Sequence, residues 1–195
     1  PRVAAPSAFV RAAQKSRRFF QDATLVNRRR LAKDGIEVRE TLTPNPKRYP
    51  AYFRQNFHYQ TDGWFSEDSA KLYDTQVETL FAGTAAVMRR AVLAQIAKQL
   101  KGRDQRHVSY LDLACGNGTF LSEVLAIWPR LAANGLDLSP SYAKVARQKL
   151  RRWKHVDIIE GQAEAMPIED ATLDLIACIY LFHELPPRIR VDVVA

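Results

Sequence analysis

Cysteine is scarce in this sequence of 195 residues, which contains only Cys115 and Cys178. Both lie in apolar, strand-like segments, so the sequence favours two free, buried thiols over a disulfide. A run of about 20 apolar residues, the length that crosses a bilayer, is also lacking. We therefore expect a protein without a membrane span that works in a reducing compartment, which is the cytoplasm or, alternatively, an organellar matrix or stroma.

Acidic residues are few in the first third of the chain. Residues 1–60 contain 13 Lys/Arg and 4 Asp/Glu, a net charge of +9, whereas the remaining residues contain 16 and 17 and carry −1. A nucleic-acid enzyme usually carries its basic residues on its active face. The excess positive charge of residues 1–60 therefore indicates a basic appendage to the main domain. This appendage is an amphipathic helix packed on that domain, a contact for RNA or another acidic surface, or the remnant of an organellar targeting segment.

Residues 1–105 are expected to form an N-terminal helical region, or cap, that is rich in aromatic residues. A cluster of helix breakers at 41–46 precedes seven aromatic residues between Tyr49 and Phe65, which cover the core of the cap or line a pocket for an organic substrate. Apolar residues then recur at helical spacing from 69 to 100. Gly83 predicts a break in this helical region and Gly102 predicts its end.

Strands and helices alternate from residue 106 onward. The apolar pattern predicts four strands and two intervening helices, with the strands at 108–113, 135–138, 156–160 and 173–180 and the helices at 119–127 and 140–153. Because the strands are continuous apolar runs separated by helices, they predict an α/β fold with a parallel, doubly wound sheet covered on both faces.

A glycine-containing turn follows the first strand, where residues 111–118 read Leu-Asp-Leu-Ala-Cys-Gly-Asn-Gly. A tight strand-to-helix turn needs glycine for steric reasons, but such a loop also lets the backbone approach a nucleotide cofactor. The third glycine of the dinucleotide motif Gly-x-Gly-x-x-Gly is missing, so a nicotinamide-dependent dehydrogenase is disfavoured. Asp137 ends the second strand, where a carboxylate accepts hydrogen bonds from a ribose, and Ser139 supplies the cap of the next helix.

In this order the motifs resemble the class I, Rossmann-like S-adenosylmethionine-dependent methyltransferases of the small-molecule type. That family's loop reads roughly Leu-Asp-Leu-Gly-Cys-Gly-x-Gly, and Ala114 stands here in place of its first glycine. Its adenine-side turn, often Gly-Asp-Ala-Glu-x-Leu-Pro, corresponds to residues 161–167, where Gln162 replaces the acid and would offer its amide oxygen to the adenine amine. The segment His183-Glu184-Leu185 after the fourth strand resembles the family's His-containing segment.

The resemblance implies an enzyme with S-adenosyl-L-methionine as its cofactor and no metal, in which residues 106–195 are the N-terminal part of the cofactor-binding domain. The cofactor-binding residues that it implies are Asp112, Ala114, Cys115, Gly116, Gly118, Asp137, Leu138, Gln162, Ala163 and Tyr73. His183 is the candidate general base for an acceptor that arrives protonated, or else it braces the following helix. Tyr59, Trp64 and Tyr73 either close over the cofactor or substrate or simply pack.

The acceptor is expected to be a small organic molecule. Family members that methylate nucleobase amines carry an Asn-Pro-Pro-Tyr-like sequence after the fourth strand, which here reads His183-Glu184-Leu185-Pro186-Pro187, so an RNA methyltransferase ranks lower and nucleic acid is not an expected partner. The family's sheet continues beyond four strands. We therefore expect a C-terminally truncated, incomplete sheet with an exposed fourth strand, which a dimer or domain swap would complete. The alternative function is a cofactor-binding fragment or scaffold without turnover.

Overall fold

The computed structural model describes residues 48–54 and 64–195, together with the single positions 17, 21, 24, 28 and 31. Apart from those single positions, the basic segment at 1–40 lies outside the described residues. The breaker cluster at 41–46 and Tyr59 lie outside them as well.

Two helices precede the sheet and form the described part of the cap. Helix α1 spans Glu67–Leu80 and helix α2 spans Ala85–Leu100. Gly83, with φ +82°, lies between them, which confirms the predicted break. Among the described residues, no single helix has the length and apolarity to cross a membrane, and α1 and α2 meet that test only as a pair bent by 98°.

Four parallel strands form one sheet, which confirms the predicted α/β fold. The strands are β1 (Ser109–Leu113), β2 (Ala132–Asp137), β3 (Ile158–Glu160) and β4 (Leu175–Cys178). Helices α3 (Thr119–Ile127) and α4 (Pro140–Leu150) connect the first three strands, and α5 (Pro187–Val194) follows the last. The order β3-β2-β1-β4 reverses between β1 and β4, and ligands bind outside the carboxyl ends of strands at such a switch point.

Several boundaries differ from the predicted ones because backbone pairing, rather than apolar composition, determines where a strand begins and ends. Strand β2 begins three residues earlier than predicted, since Ala132 pairs with Ser109. Strand β4 is shorter than its apolar run, since only Leu175–Cys178 pair with β1. Strand β3 starts at Ile158 opposite Gly135, and α4 ends at Leu150 rather than at residue 153.

Apolar side chains cover both faces of the sheet. Helices α2, α3 and α4 pack on one face around Val108 and Tyr110, and the segment after β3 packs on the other face against Leu111, Leu113 and Leu136. A smaller cluster joins the cap to α4. Cys115 is buried, Cys178 is half-buried, and both are free thiols, so the prediction of unpaired cysteines is confirmed.

Candidate functional site

The turn between β1 and α3 contains three residues in the left-handed backbone conformation. Ala114 has φ +58°, Gly116 has +56° and Gly118 has +76°. The left-handed conformation costs an alanine roughly 1–2 kcal/mol, whereas glycine adopts it freely. Ala114 therefore replaces glycine at a position whose backbone favours glycine, and the loop retains its shape under strain.

The two glycines of the turn serve different purposes. A Cβ on Gly118 would lie 3.1 Å from both Ala146 Cβ and Leu150 Cδ1, so this glycine lets α3 pack closely on α4. A Cβ on Gly116 would meet only Tyr142 Cδ1, at 3.9 Å. The space above Gly116 is therefore open, and a ligand can approach the backbone there.

Asp137 connects the carboxyl ends of β1 and β2. Its Oδ2 accepts the N–H of Gly116 at 2.8 Å and its Oδ1 accepts the N–H of Ser139 at 2.8 Å. Burial raises the pKa of Asp137 to about 6, although these two hydrogen bonds act in the opposite direction. Since each carboxylate oxygen has a second lone pair, Asp137 can brace the loop and still accept hydrogen bonds from a diol.

Asp112 is a second carboxyl group beside the loop. It is buried near the end of β1, and its Oδ2 has no hydrogen-bond partner within the described residues. Burial, followed by the charge of Asp137, raises the pKa of Asp112 well above its usual value, while the backbone N–H of Leu121 lowers it. A buried polar atom without a partner calls for an explanation, and Asp112 lines the cavity described next.

A cavity of about 50 Å³ lies between the turn, the cap and the end of β4. It is lined by five of the predicted cofactor-binding residues, namely Asp112, Ala114, Cys115, Gly116 and Tyr73. Ligand pockets for whole molecules measure roughly 300–1,000 Å³. This cavity can therefore take only one end of a larger ligand, whose remainder would extend along the sheet edge.

The other predicted cofactor-binding residues lie at the same edge of the sheet or beside it. Leu138 is half-buried directly after Asp137. The N–H of Gly161 donates to the carbonyl of Asp137 at 3.1 Å, which places the adenine-side turn next to the predicted ribose position. Within that turn Gln162 pairs with Ala165 across a β-bridge, and Ala163 packs against the core. Gly118 is turned toward α4, and its assignment as a cofactor contact stays a prediction.

His183 lies in a short 3-10 turn, Phe182–Glu184, that follows β4. Its side chain is 51% exposed, and Nε2 lies 2.5 Å from Oε1 of Glu184. His183 is not among the described residues that line the cavity. A role as general base therefore requires the acceptor to approach from the exposed side of this edge, and that role stays a prediction.

The cap is hydrogen-bonded to the start of α4. The hydroxyl of Ser139 donates to the carbonyl of Trp64 and also accepts the N–H of Tyr142 at 3.2 Å, which confirms Ser139 as the predicted helix cap. The hydroxyl of Ser141 donates to the carbonyl of Phe65 at 2.8 Å. These bonds hold the segment that enters α1 beside Asp137.

Aromatic rings pack the cap onto α4. The ring centroids of Trp64 and Tyr142 are 5.2 Å apart, and those of Tyr73 and Tyr142 are 5.6 Å apart. Burial, together with the nearby charge of Asp137, raises the pKa of Tyr73. Trp64 and Tyr73 thus pack on the sheet domain beside the site, and Tyr73 also lines the cavity.

A polar network also joins α1 to the glycine turn, and the sequence did not reveal it. The side-chain amide of Asn117 donates to the carbonyl of Ala70 at 3.0 Å. Asp74 accepts a hydrogen bond from the hydroxyl of Thr119 at 2.7 Å and forms an ion pair with Lys149 at 3.1 Å. No local pattern predicts these contacts, because their partners are 30 or more residues apart.

Arg89 and Tyr180 also line the cavity, and the sequence did not indicate either residue. Arg89 is 12% exposed and pairs with Glu78 at 3.1 Å and Glu123 at 3.0 Å. Tyr180 has φ +62°, and its hydroxyl is buried without a hydrogen-bond partner among the described residues. Its ring stacks on Phe81 of the cap at 5.6 Å. A strained backbone and an unpaired hydroxyl beside a cavity are typical of ligand-binding positions.

Comparison with known proteins gives a match over the second half of the chain. Residues 111–195 match the family described as "Methyltransferase domain". A demethylmenaquinone methyltransferase of Lactococcus lactis is 33% identical over 93 residues, which are 45% of this chain and 36% of the relative. A malonyl-[acyl-carrier protein] O-methyltransferase of a Paenibacillus species is 25% identical over 111 residues, which are 54% and 37%. The chain thus spans little more than a third of the length of these curated relatives.

Solved structures of similar proteins include a putative S-adenosyl-L-methionine-dependent methyltransferase from Methanococcus maripaludis. It is 21% identical with a TM-score of 0.47, over 66% of this chain and 59% of that one. A second is a methyltransferase from Thiobacillus denitrificans in complex with S-adenosyl-L-homocysteine, which is 24% identical with a TM-score of 0.37, over 46% of this chain and 36% of the other.

Proposed function

Residues 111–195 match the methyltransferase domain family, and from this premise we propose that the protein transfers a methyl group from S-adenosylmethionine to a small organic acceptor. The family match confirms the resemblance drawn from the glycine turn, Asp137 and the turn at residues 161–167. The acceptor and its nucleophilic atom are not specified by the residues at the site.

The observation that supports this function best is the pair of carboxyl groups around the glycine turn. Asp137 holds the turn through Gly116 and keeps lone pairs for the two ribose hydroxyls. Asp112 presents an unpartnered oxygen at the cavity that the turn lines. Together with the open space above Gly116, these groups fit a ligand that combines a diol with a positively charged end.

The cofactor supplies a methyl carbon that is activated by a sulfonium cation. The residues around the turn contribute binding, orientation and exclusion of water, which are the main protein contributions to such a transfer. Asp137 is ionised above about pH 6, and its negative charge favours a cation bound nearby. Trp64 and Tyr73, packed on Tyr142, shield this region from solvent.

The acceptor is proposed to enter between the cap and the end of β4. Arg89 and Tyr180 line the cavity, and both side chains carry groups that can donate a hydrogen bond to an oxygen of the acceptor. His183 is proposed as the base if the acceptor is a phenol or alcohol. In this proposal residues 1–105 are the cap that selects the acceptor and residues 106–195 hold the cofactor.

We also propose that the outer edge of β4 pairs with a further strand, from a partner chain or by domain swapping. Ile176 on this strand is 46% exposed, and an apolar strand edge invites pairing. A concentration-dependent increase in mass by light scattering is expected. A monomer at all concentrations would contradict pairing between chains.

The function is tested by calorimetric titration with S-adenosylmethionine and S-adenosylhomocysteine, followed by transfer assays with radiolabelled methyl donor and pooled small metabolites. We expect binding of both cofactor forms and a labelled small product. Binding without any transfer would favour the scaffold alternative. A folded protein that binds neither compound would overturn the proposed function.

A further inference from the structure

We propose that Asn117 and Thr119 are positioning residues that couple the cap to the cofactor site, so that the packed cap and the bound cofactor stabilise each other. This inference rests on the proposed function, because the ligand that binds beside the glycine turn is the proposed methyl donor. It goes beyond that function by linking the affinity for the cofactor to the position of α1.

The first observation is that the side chain of Asn117 bonds to the cap and to the turn at once. Asn117 lies between Gly116 and Gly118, and it is 3% exposed. Its Nδ2 donates to the carbonyl of Ala70 in α1 at 3.0 Å, and its Oδ1 accepts the N–H of Thr119 at 3.3 Å. If α1 moved away, the NH₂ group would lose this partner. The conformation of the turn therefore depends on where α1 lies.

The second observation is a contact between three helices at Thr119, the first residue of α3. The hydroxyl of Thr119 donates to Oδ2 of Asp74 in α1 at 2.7 Å, and the same oxygen accepts Nζ of Lys149 in α4 at 3.1 Å. Lys149 also donates to the Thr119 hydroxyl. An ion pair with partly exposed side chains contributes little by itself. The contact nevertheless forms only while α1 is packed against both other helices.

The third observation is that the cavity beside the turn has walls from both parts of the protein. Tyr73 and Val77 of α1 line it together with Gly116, Asn117 and Thr119. A ligand that contacts both walls binds more tightly when the cap is packed, and it therefore shifts the population toward that state. Such coupling is reciprocal, so the packed cap raises the affinity by the same factor by which the ligand stabilises packing.

Other hydrogen bonds of the cap end on α4 and not on the turn. The hydroxyl of Ser141 donates to the carbonyl of Phe65 at 2.8 Å, and the hydroxyl of Ser139 donates to the carbonyl of Trp64. These bonds hold the cap on the sheet domain without contacting the residues beside Gly116. Ser141→Ala is therefore a matched control, since it removes a bond of the cap but leaves Asn117 in contact with α1.

The test measures hydrogen exchange of the full chain by mass spectrometry, with and without S-adenosylhomocysteine, at concentrations that occupy each variant equally. In wild type the ligand should slow exchange of the α1 amides by about fivefold or more. In Asn117→Ala and Thr119→Val this slowing should be clearly smaller, while the amides of β1 are slowed as in wild type. Calorimetry should show about twofold to tenfold weaker binding for each variant, as expected for one lost hydrogen bond.

The control separates coupling from a merely structural contact. In Ser141→Ala the α1 amides should exchange faster both with and without the ligand, and the ratio of the two rates should stay at the wild-type value. If Ser141→Ala loses as much of the slowing as Asn117→Ala does, the contacts of the cap are interchangeable and the assignment to Asn117 is wrong.

Circular dichroism establishes that each variant is folded. If the ligand binds wild type but leaves the exchange of α1 unchanged, or if folded Asn117→Ala shows the wild-type slowing, the coupling is wrong while the proposed function stands. Should Asn117→Ala not fold, wild-type slowing in Thr119→Val overturns the coupling. If wild type does not bind S-adenosylhomocysteine, the proposed function is overturned and the coupling with it.

Discussion

Replacing Asp137 by asparagine should weaken cofactor binding without lowering the stability of the fold at pH 7. The Asp137 carboxylate accepts two backbone N–H groups at 2.8 Å, from Gly116 and Ser139. Asparagine keeps one acceptor oxygen, but it turns an NH₂ group toward the other N–H. One charge-assisted hydrogen bond is therefore lost, which contributes about 1.5–3 kcal/mol.

The pKa of Asp137 gives the opposing contribution. Burial raises this pKa from 3.8 to about 6, which disfavours the ionised form by about 3 kcal/mol at roughly 1.4 kcal/mol per pKa unit. Because the pKa is raised in the folded state, the associated stability is present below about pH 4 and is lost as the pH rises through about 6. The pKa of about 6 already includes the two hydrogen bonds to the carboxylate, so asparagine, which has no charge to bury, should not lower the free energy of unfolding at pH 7.

Cofactor affinity responds differently from stability. The ribose hydroxyls donate to the ionised carboxylate, so the affinity of wild type for S-adenosylhomocysteine should rise with pH through about 6. Asp137→Asn should bind about tenfold to a hundredfold more weakly at pH 7.5, as expected for one lost charged hydrogen bond. Its affinity should also lose the titration near pH 6.

Calorimetry from pH 5 to 7.5 and urea denaturation measure the two quantities separately. Asp157→Asn is the matched control, because it removes an exposed charge at the first residue before β3, at the opposite end of the sheet. Equal affinity of Asp137→Asn and wild type at pH 7.5 would refute the assignment of Asp137 to the ribose. So would a wild-type affinity that does not change between pH 5 and 7.5.

Three further predictions concern stability. Gly118→Ala should lower the free energy of unfolding, measured by urea denaturation, by about 2–4 kcal/mol. The control Gly102→Ala has the same φ of +76° but open space around it, so its free energy of unfolding should fall only by the smaller backbone contribution. Equal decreases in the two variants would contradict the packing argument. Ala114→Gly should not destabilise, because it relieves the strain at φ +58°, and a clear loss by the same assay would be evidence against strain. Hydrogen bonds from Ser109 and Arg103 lower the pKa of Asp174 to about 2, so the stability that its carboxylate contributes is lost as the pH falls below about 4. In Asp174→Asn the free energy of unfolding should therefore depend less on pH between pH 4 and 2. An unchanged pH dependence would contradict this.

Local signals predicted the elements that build the cofactor side of the site. Ser139 caps α4 and Gly83 separates the cap helices, because capping and left-handed backbone depend on a few adjacent residues. The alternation of apolar strands with helices predicted the parallel sheet. It placed Asp112 and Asp137 near the ends of neighbouring strands, and the carboxyl ends of parallel strands share one edge.

The sequence by itself thus determined the fold class, the glycine turn and the two carboxyl groups beside it, since each depends on short-range pattern and backbone geometry. Tertiary structure alone decided what closes the site. Tyr52 donates a hydrogen bond to Glu164, which is 112 positions away in the sequence, and Arg89 pairs with Glu123, which is 34 positions away. The sequence predicts Tyr180 as part of an apolar strand, whereas in the structure it has a positive φ and stacks on Phe81. Contacts between distant segments form only when helices and strands pack, so no spacing along the chain encodes them.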